Sequence, residues 1–169
     1  KTNNTQVHGA QVILEGDNLF EAGKHARSLA ARDNLVFVHP YEDKLIIAGQ
    51  GTVGLEILEA VPDLDVLIVP VGGGGLISGI AIAARALRPD ILVFGAETAN
   101  YPSMHQRLNN LPVECGGDTI AEGIAVKDVG SMALDIIREL VEEVMVVKEE
   151  TIERAVVALI EIEKTVAEG

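Results

Sequence analysis

The chain has 169 residues and a formal net charge of −13, from 13 Lys and Arg against 26 Asp and Glu. This balance offers no cationic surface to a phosphate backbone, so we expect no nucleic-acid partner. Hydrophobic residues make up 48% of the chain and aromatic residues only 3%, which predicts a folded core of Val, Ile, Leu and Ala. The single cysteine, Cys115, excludes an internal disulfide or a site of several thiolates and favours a reducing, cytoplasmic location.

Apolar runs alternate with segments of helical periodicity along nearly the whole chain. The predicted elements are, in chain order, a strand at 12–14, a helix at 18–32 capped by Asn18, a strand at 36–38, a helix at 45–61, a strand at 66–69, a helix at 76–87, a strand at 91–94, a helix at 131–140, a strand at 144–147 and a helix that begins at 149. This alternation predicts an α/β fold with a mostly parallel sheet and helices on both of its faces.

One uncharged run, residues 66–84, is close to the length that spans a membrane. It contains Pro70 and five glycines, which would make a poor continuous helix. A strand, a loop and a helix are the better interpretation, and we expect no membrane partner.

The strongest chemical signal is the run of four glycines between the strand at 66–69 and the helix at 76–87. Residues without side chains let consecutive N–H groups point at one spot, beside the positive end of the following helix. Such an arrangement binds phosphate. A plain turn needs only one glycine, so we predict an anion-binding loop at Gly72, Gly73, Gly74 and Gly75.

Two other phosphate motifs fit less well. Gly74 to Gly79 has the spacing of a nucleotide-triphosphate loop, but Ile80-Ala81 follows where Lys and Ser or Thr are needed. Residues 49–54 match G-x-G-x-x-G, yet the apolar residues before them continue in phase with a helix instead of ending a strand. We interpret that match as accidental and keep a nicotinamide-binding domain as a weaker alternative. The phosphate ester of a small cofactor is the remaining candidate.

Three motifs now resemble those of a known family: Val-Pro-Val-Gly-Gly-Gly-Gly-Leu at 69–76, His-Pro-Tyr at 39–41 with Ile-Ala-Gly-Gln-Gly-Thr at 47–52, and Thr-Ile-Ala-Glu-Gly-Ile-Ala-Val-Lys at 119–127. In order and spacing they resemble the pyridoxal-phosphate-dependent threonine (serine) dehydratases and the related serine racemases. The resemblance implies a fold type II architecture like that of tryptophan synthase β. It also implies that residues 1–40 end a small domain and residues 41–169 form the first part of a large, phosphate-binding domain.

The resemblance also implies the chemistry of the family. In that family a lysine holds pyridoxal 5'-phosphate as a Schiff base, and the β-hydroxyl of threonine or serine is eliminated to give a 2-oxo acid and ammonia. By resemblance the four glycines would hold the phosphate, and Gly123 would lie near the cofactor ring. Glu168 matches a glutamate before an active-site loop. Glu97 matches an active-site glutamate that is a metal ligand in racemase-like members, but Ser103 stands where the completing carboxylate would be, so no metal site is predicted beyond Glu97 as a possible ligand.

The catalytic lysine of the family is missing from this chain. None of the six lysines stands in the Ser-x-Lys-x-Arg-Gly setting that carries the Schiff base; they are Lys1, Lys24, Lys44, Lys127, Lys148 and Lys164. The downstream Ser-Gly-Gly segment is missing as well. We therefore expect an internal part of a longer, homo-oligomeric enzyme for a small amino acid, inactive by itself. The alternative is a non-catalytic α/β domain for binding or assembly, derived from the same family.

Overall fold

The structure, a computed structural model, describes residues 2–16 and 19–169. The chain divides into two compact units, Lys1–Val38 and His39–Gly169. Their identification with the end of a small domain and the start of a large domain, predicted to meet between 40 and 41, stays a prediction.

The first unit contains helices α1 (Thr2–Val7) and α2 (Leu19–Asp33), and none of its described residues is buried. Helix α2 confirms the predicted helix, although its proposed cap Asn18 lies outside the described residues. The strands predicted at 12–14 and 36–38 are wrong: neither segment forms one. A strand needs a neighbouring strand as its hydrogen-bond partner. These apolar runs are instead exposed to solvent, as Leu14 at 78% and Val36 at 89% exposure show.

The second unit is built on a sheet of three parallel strands in the order β1, β2, β3. The strands are β1 (Val66–Pro70), β2 (Leu92–Thr98) and β3 (Glu143–Val147). The helices are α3 (Lys44–Ala60), α4 (Gly75–Leu87), α5 (Ser103–Leu108), α6 (Ser131–Leu140) and α7 (Glu149–Glu161), with a 3-10 turn at Glu122–Ile124. The predicted α/β fold with a parallel sheet is confirmed.

The core lies on one face of this sheet. In β1 the side chains alternate, so that Leu67 and Val69 are buried while Val66 and Ile68 are 41% and 65% exposed. Buried apolar residues of α4 and α6, such as Ile77 and Ile137, belong to the same core cluster. The helices predicted for both faces therefore leave part of the second face open to solvent.

Helices α3 and α4 approach each other closely. A Cβ atom on Gly79 of α4 would overlap with the carbonyl oxygen of Ile47 and lie 2.5 Å from the backbone nitrogen of Gly51, both in α3. The G-x-G-x-x-G match at residues 49–54 therefore lies inside helix α3, where Gly51 and Gly54 are buried. A dinucleotide fingerprint needs a loop after a strand. The nicotinamide alternative is therefore excluded.

The uncharged run at 66–84 forms β1, the glycine loop and most of α4, as predicted. In the part of the chain that the structure describes, every helix is too short or too polar to cross a bilayer.

Candidate functional site

The glycine loop joins the carboxyl end of β1 to the amino end of α4. The Val71 amide before it donates to the carbonyl of Ala96 in β2 (2.8 Å), and Gly74 has the left-handed φ of +92° that glycine adopts without strain. The amides of Gly72, Gly73, Gly74 and Gly75 make no hydrogen bond to any other described residue. The last three of these glycines are buried.

Neighbouring atoms leave no room for side chains on this loop. A Cβ on Gly73 would overlap with the ring of Tyr41, and one on Gly75 would lie 2.8 Å from the Tyr41 carbonyl oxygen. A Cβ on Gly74 would lie 2.7 Å from the methyl groups of both Met104 and Ala133. Real Cβ atoms do not approach other atoms so closely, so these three glycines are needed for packing, and Gly74 also for its backbone conformation.

Tyr41 packs on the loop because the turn before α3 holds it there. The His39 ring nitrogen Nδ1 accepts from the amides of Tyr41 (3.3 Å) and Glu42 (2.8 Å). The Tyr41 hydroxyl donates to the carbonyl of Asp128 (2.6 Å), which ties this turn to the segment before α6. The sequence marked Tyr41 only as part of a motif, because no local pattern reveals a contact between residues so far apart in the chain.

Glu97 lies near the end of β2, next to Ala96, whose carbonyl accepts from the Val71 amide before the glycine loop. Its side chain is buried, with 1% of the residue exposed. Its two carboxylate oxygens accept from the backbone amides of Met104 and His105, each at 2.8 Å, and so cap α5. Burial raises the pKa of Glu97 to about 7, against the opposing effect of the two hydrogen bonds. The Ser103 hydroxyl donates to the Val126 carbonyl (2.8 Å). Glu97 therefore holds the amino end of α5 in place, and Met104 of this helix contacts the glycine loop.

The segment at 119–126 also reaches the loop. A Cβ on Gly72 would lie 3.0 Å from the Cα of Ile124, so Gly123 is one residue from that contact. Gly123 itself is exposed, with open space where a side chain would be. Glu168 is exposed, and the Gly169 beside it packs against Ile120.

Glu149 stands at the predicted start of the last helix and in an acidic cluster that suggests a solvated face, but its carboxylate also holds the 119–126 segment. Its carboxylate accepts from the Ile120 amide (2.6 Å) and from the Thr98 hydroxyl (3.1 Å) at the end of β2. The hydrogen bond from Ile120 is the main reason that the pKa of Glu149 is lowered. The sequence did not reveal this role, because both partners lie far from residue 149 along the chain.

These contacts bring the unpaired amides, the amino end of α4 and the segment at 119–126 together at the carboxyl edge of the sheet. In parallel α/β sheets ligands bind at that edge. Buried N–H groups without partners cost free energy unless a ligand or water accepts from them, and an anion is the ligand that such groups favour. Among the described residues, no three His, Cys, Asp or Glu side chains are grouped as a metal site requires.

A separate cavity of about 380 Å³ lies between α3, α4 and α6. Its lining is mostly apolar; it is lined by Lys44, Ile47, Ala48, Gly51, Gly79, Ile82, Ala83, Met132 and Ile136. Because no residue of the glycine loop lines it, this cavity is distinct from the candidate site.

Comparison with known proteins identifies the family of the chain and several relatives. The sequence model of a family described as "Pyridoxal-phosphate dependent enzyme" matches residues 1–169. An L-threonine ammonia-lyase of Thermotoga maritima is 46% identical over all of this chain and 43% of its own length. A catabolic L-threonine dehydratase of Staphylococcus aureus is 40% identical over all of this chain and 49% of its own. The chain thus spans less than half the length of these relatives.

Solved structures resemble the whole chain as well. A maize serine racemase has a TM-score of 0.92 and 33% identity, with 99% of this chain and 53% of the racemase covered. The processed form of a threonine deaminase from Solanum lycopersicum has a TM-score of 0.89 and 31% identity, with 99% of this chain and 47% of the deaminase covered. The architecture predicted by resemblance is therefore confirmed.

Proposed function

The chain belongs to the family of pyridoxal-phosphate-dependent enzymes, and from this premise we propose that it forms the phosphate-binding part of an ammonia-lyase for threonine or serine. The observation that carries the proposal is the set of buried glycine amides without protein partners at the amino end of α4. Its relatives named for threonine ammonia-lyase or dehydratase activity support the choice of substrate class.

The residues present fit the phosphate of pyridoxal 5'-phosphate. Gly72, Gly73, Gly74 and Gly75 would donate their amides to it, and the positive end of α4 would favour its two negative charges. The open space at Gly123 would leave room for the cofactor ring. Tyr41, packed on Gly73, would keep the loop in one conformation and exclude water from one side of it. Glu97, whose two carboxylate oxygens accept from amides of α5, would support the loop through Met104 without touching the cofactor.

When bound, the cofactor would supply an electron sink for removing the α-proton and the β-hydroxyl of the amino acid. This chain would bind and orient it, whereas the lysine that carries the cofactor in the family is missing from the sequence. We therefore propose that this chain by itself does not turn over threonine or serine. The complete enzyme would act on a small amino acid in the cytoplasm, as a homo-oligomer. Glu168, next to the residue that contacts Ile120, would lie at the border of the active site.

Binding of the cofactor by the glycine loop can be measured by titration calorimetry with pyridoxal 5'-phosphate. Gly73→Asp places a side chain in the volume of the Tyr41 ring and a negative charge beside the amides, so we expect its affinity to fall at least about tenfold. Gly49→Asp is a matched control, because it adds the same charge at an exposed position with open space around it. Equal affinity of the two variants would exclude the loop as the site. It would favour the non-catalytic domain instead.

The proposed inactivity of the chain by itself can be tested in a separate assay. The protein is incubated with pyridoxal 5'-phosphate and threonine, and 2-oxobutanoate is measured. We expect none above the rate of the cofactor alone, and turnover above that rate would contradict this part of the proposal.

A further inference from the structure

Glu42 lies in the turn before α3, yet the hydrogen bonds of its carboxylate go to α6. Its Oε1 accepts from the Ser131 hydroxyl (2.9 Å) and from the Met132 amide (2.8 Å), 89 and 90 positions away in the chain. The first amides of a helix have no partner inside it, so a carboxylate in this position caps the helix. Helix α6 thus depends on a residue of a distant turn for its cap.

Gly130, immediately before α6, makes room for this carboxylate. Its φ of −66° and ψ of 135° suit any residue, so its backbone conformation does not require glycine. A Cβ at this position would overlap with Glu42 Oε2. That oxygen is buried and has no hydrogen-bond partner among the described residues. Because an unpaired buried oxygen offsets part of the stability that the cap contributes, the close approach of Glu42 points to a reason besides the cap.

The other neighbour of Gly130 suggests that reason. The Gly130 amide donates to the carbonyl of Gly73 (3.1 Å) in the glycine loop. A trans peptide is planar, so the Gly73 carbonyl and the Gly74 N–H point in opposite directions. Holding the carbonyl on Gly130 therefore fixes the direction of one of the unpaired amides.

We propose that Glu42 is a positioning residue for the glycine loop. By capping α6 it holds Gly130 in place, and Gly130 in turn orients the peptide between Gly73 and Gly74. The identity of the ligand rests on the proposed function, whereas the coupling of Glu42 to the loop does not. The two can fail separately.

The test uses the full chain and compares Glu42→Ala, Glu42→Gln and Asp43→Ala. Amide hydrogen exchange is measured by NMR at Gly130 and Met132, relative to Val93 in β2, and the affinity for pyridoxal 5'-phosphate is measured by calorimetry. In Glu42→Ala we expect exchange at both amides to rise, and the affinity to fall, by about tenfold each. Glu42→Gln keeps an oxygen that accepts both hydrogen bonds, so it should restore both readouts to within about threefold of the wild type.

Asp43→Ala is the matched control. Asp43 caps α3 through the amides of Leu45 and Ile46, so its removal costs a helix cap of the same kind without touching Gly130. We expect Gly130 exchange relative to Val93 and the cofactor affinity to stay unchanged. An equal response in Asp43→Ala would show a general loss of stability and would overturn the proposal.

Two further outcomes are decisive. If Glu42→Ala speeds exchange at Met132 but not at Gly130, Glu42 is only a helix cap and the proposal is wrong. If the wild type binds no cofactor, the proposed function fails for this chain while the exchange data still decide the coupling. Should Glu42→Ala not fold, Ser131→Ala removes one of the two bonds, and a smaller rise at Gly130 is expected; no rise there would contradict the coupling.

Discussion

The carboxyl group of Glu97 is the acid with the largest shift of pKa at the candidate site. Burial opposes its charge more strongly than the amides of Met104 and His105 support it, so its pKa rises from the ordinary 4.5 to about 7. The folded chain therefore keeps a proton on Glu97 at pH values at which the unfolded chain has lost it.

This shift predicts a pH dependence of stability. Between pH 4.5 and about 7 the folded chain binds more protons than the unfolded one, so the free energy of unfolding falls as the pH rises. The contribution of Glu97 to the free energy of unfolding is complete below pH 4.5 and is lost above about pH 7. At about 1.4 kcal/mol per pKa unit it approaches about 3 kcal/mol.

Urea denaturation from pH 4 to 8, on the wild type and on Glu97→Gln, measures this contribution. Glutamine does not titrate, so the difference between the two profiles isolates Glu97 from other acids such as Glu149, whose pKa is lowered and whose effect has the opposite sign. Parallel profiles across this range would show that the Glu97 carboxyl is not shifted.

At the scale of elements, the contact between α3 and α4 depends on glycine at particular positions. Gly79→Ala would place a methyl group on the backbone of α3, which cannot move aside as a flexible side chain can. We expect a loss of about 3 kcal/mol in the free energy of unfolding. Gly49→Ala, in α3 with open space around it, should instead stabilise the chain by about 1 kcal/mol through helix propensity.

Both variants can be compared by urea denaturation followed by circular dichroism. Equal effects of the two substitutions would contradict close packing at Gly79 and indicate that only helix propensity matters.

The sequence predicted elements well wherever their signals are local. Helix α6 has the predicted bounds, 131–140, because its apolar residues recur at helical spacing and it follows a glycine. The glycine loop was found because four adjacent glycines are themselves the signal. Helix α5 was missed because six residues are too few to show a period.

Features that depend on distant partners could not be predicted from the sequence. The run at 36–38 has the composition of a strand, but no neighbouring strand pairs with it among the described residues. The roles of Tyr41 and Glu42 come from contacts 87 to 90 positions away, which leave no periodic trace. Glu97 was singled out by resemblance alone, and its hydrogen bonds to α5 became visible only in three dimensions.

For the whole molecule, the distribution of buried residues matters most. Along the described chain the first buried residue is Ile47 and the last is Val144, so the core belongs entirely to the unit His39–Gly169. Burial of apolar surface is the main source of folding free energy. We therefore expect the second unit to fold by itself.

We predict that a chain starting at His39 keeps a cooperative unfolding transition. Its free energy of unfolding should stay within about 1 kcal/mol of the full chain, since the deleted part contributes no buried residue among those described. Circular dichroism should lose the helical signal of α1 and α2, which are 6 and 15 residues long, and urea denaturation should give nearly the same midpoint.

Removal of residues 149–169 is the comparison for this deletion. It also removes a helix without buried residues, but it takes away Glu149 and its hydrogen bonds to Ile120 and Thr98. We expect it to cost about 2 kcal/mol more than removal of residues 1–38, because the bonds to a charged carboxylate are lost. If the chain from His39 unfolds without a transition, or if removal of residues 1–38 costs about 2 kcal/mol or more, the first unit stabilises the fold of the second and the division at residue 39 is not a folding boundary.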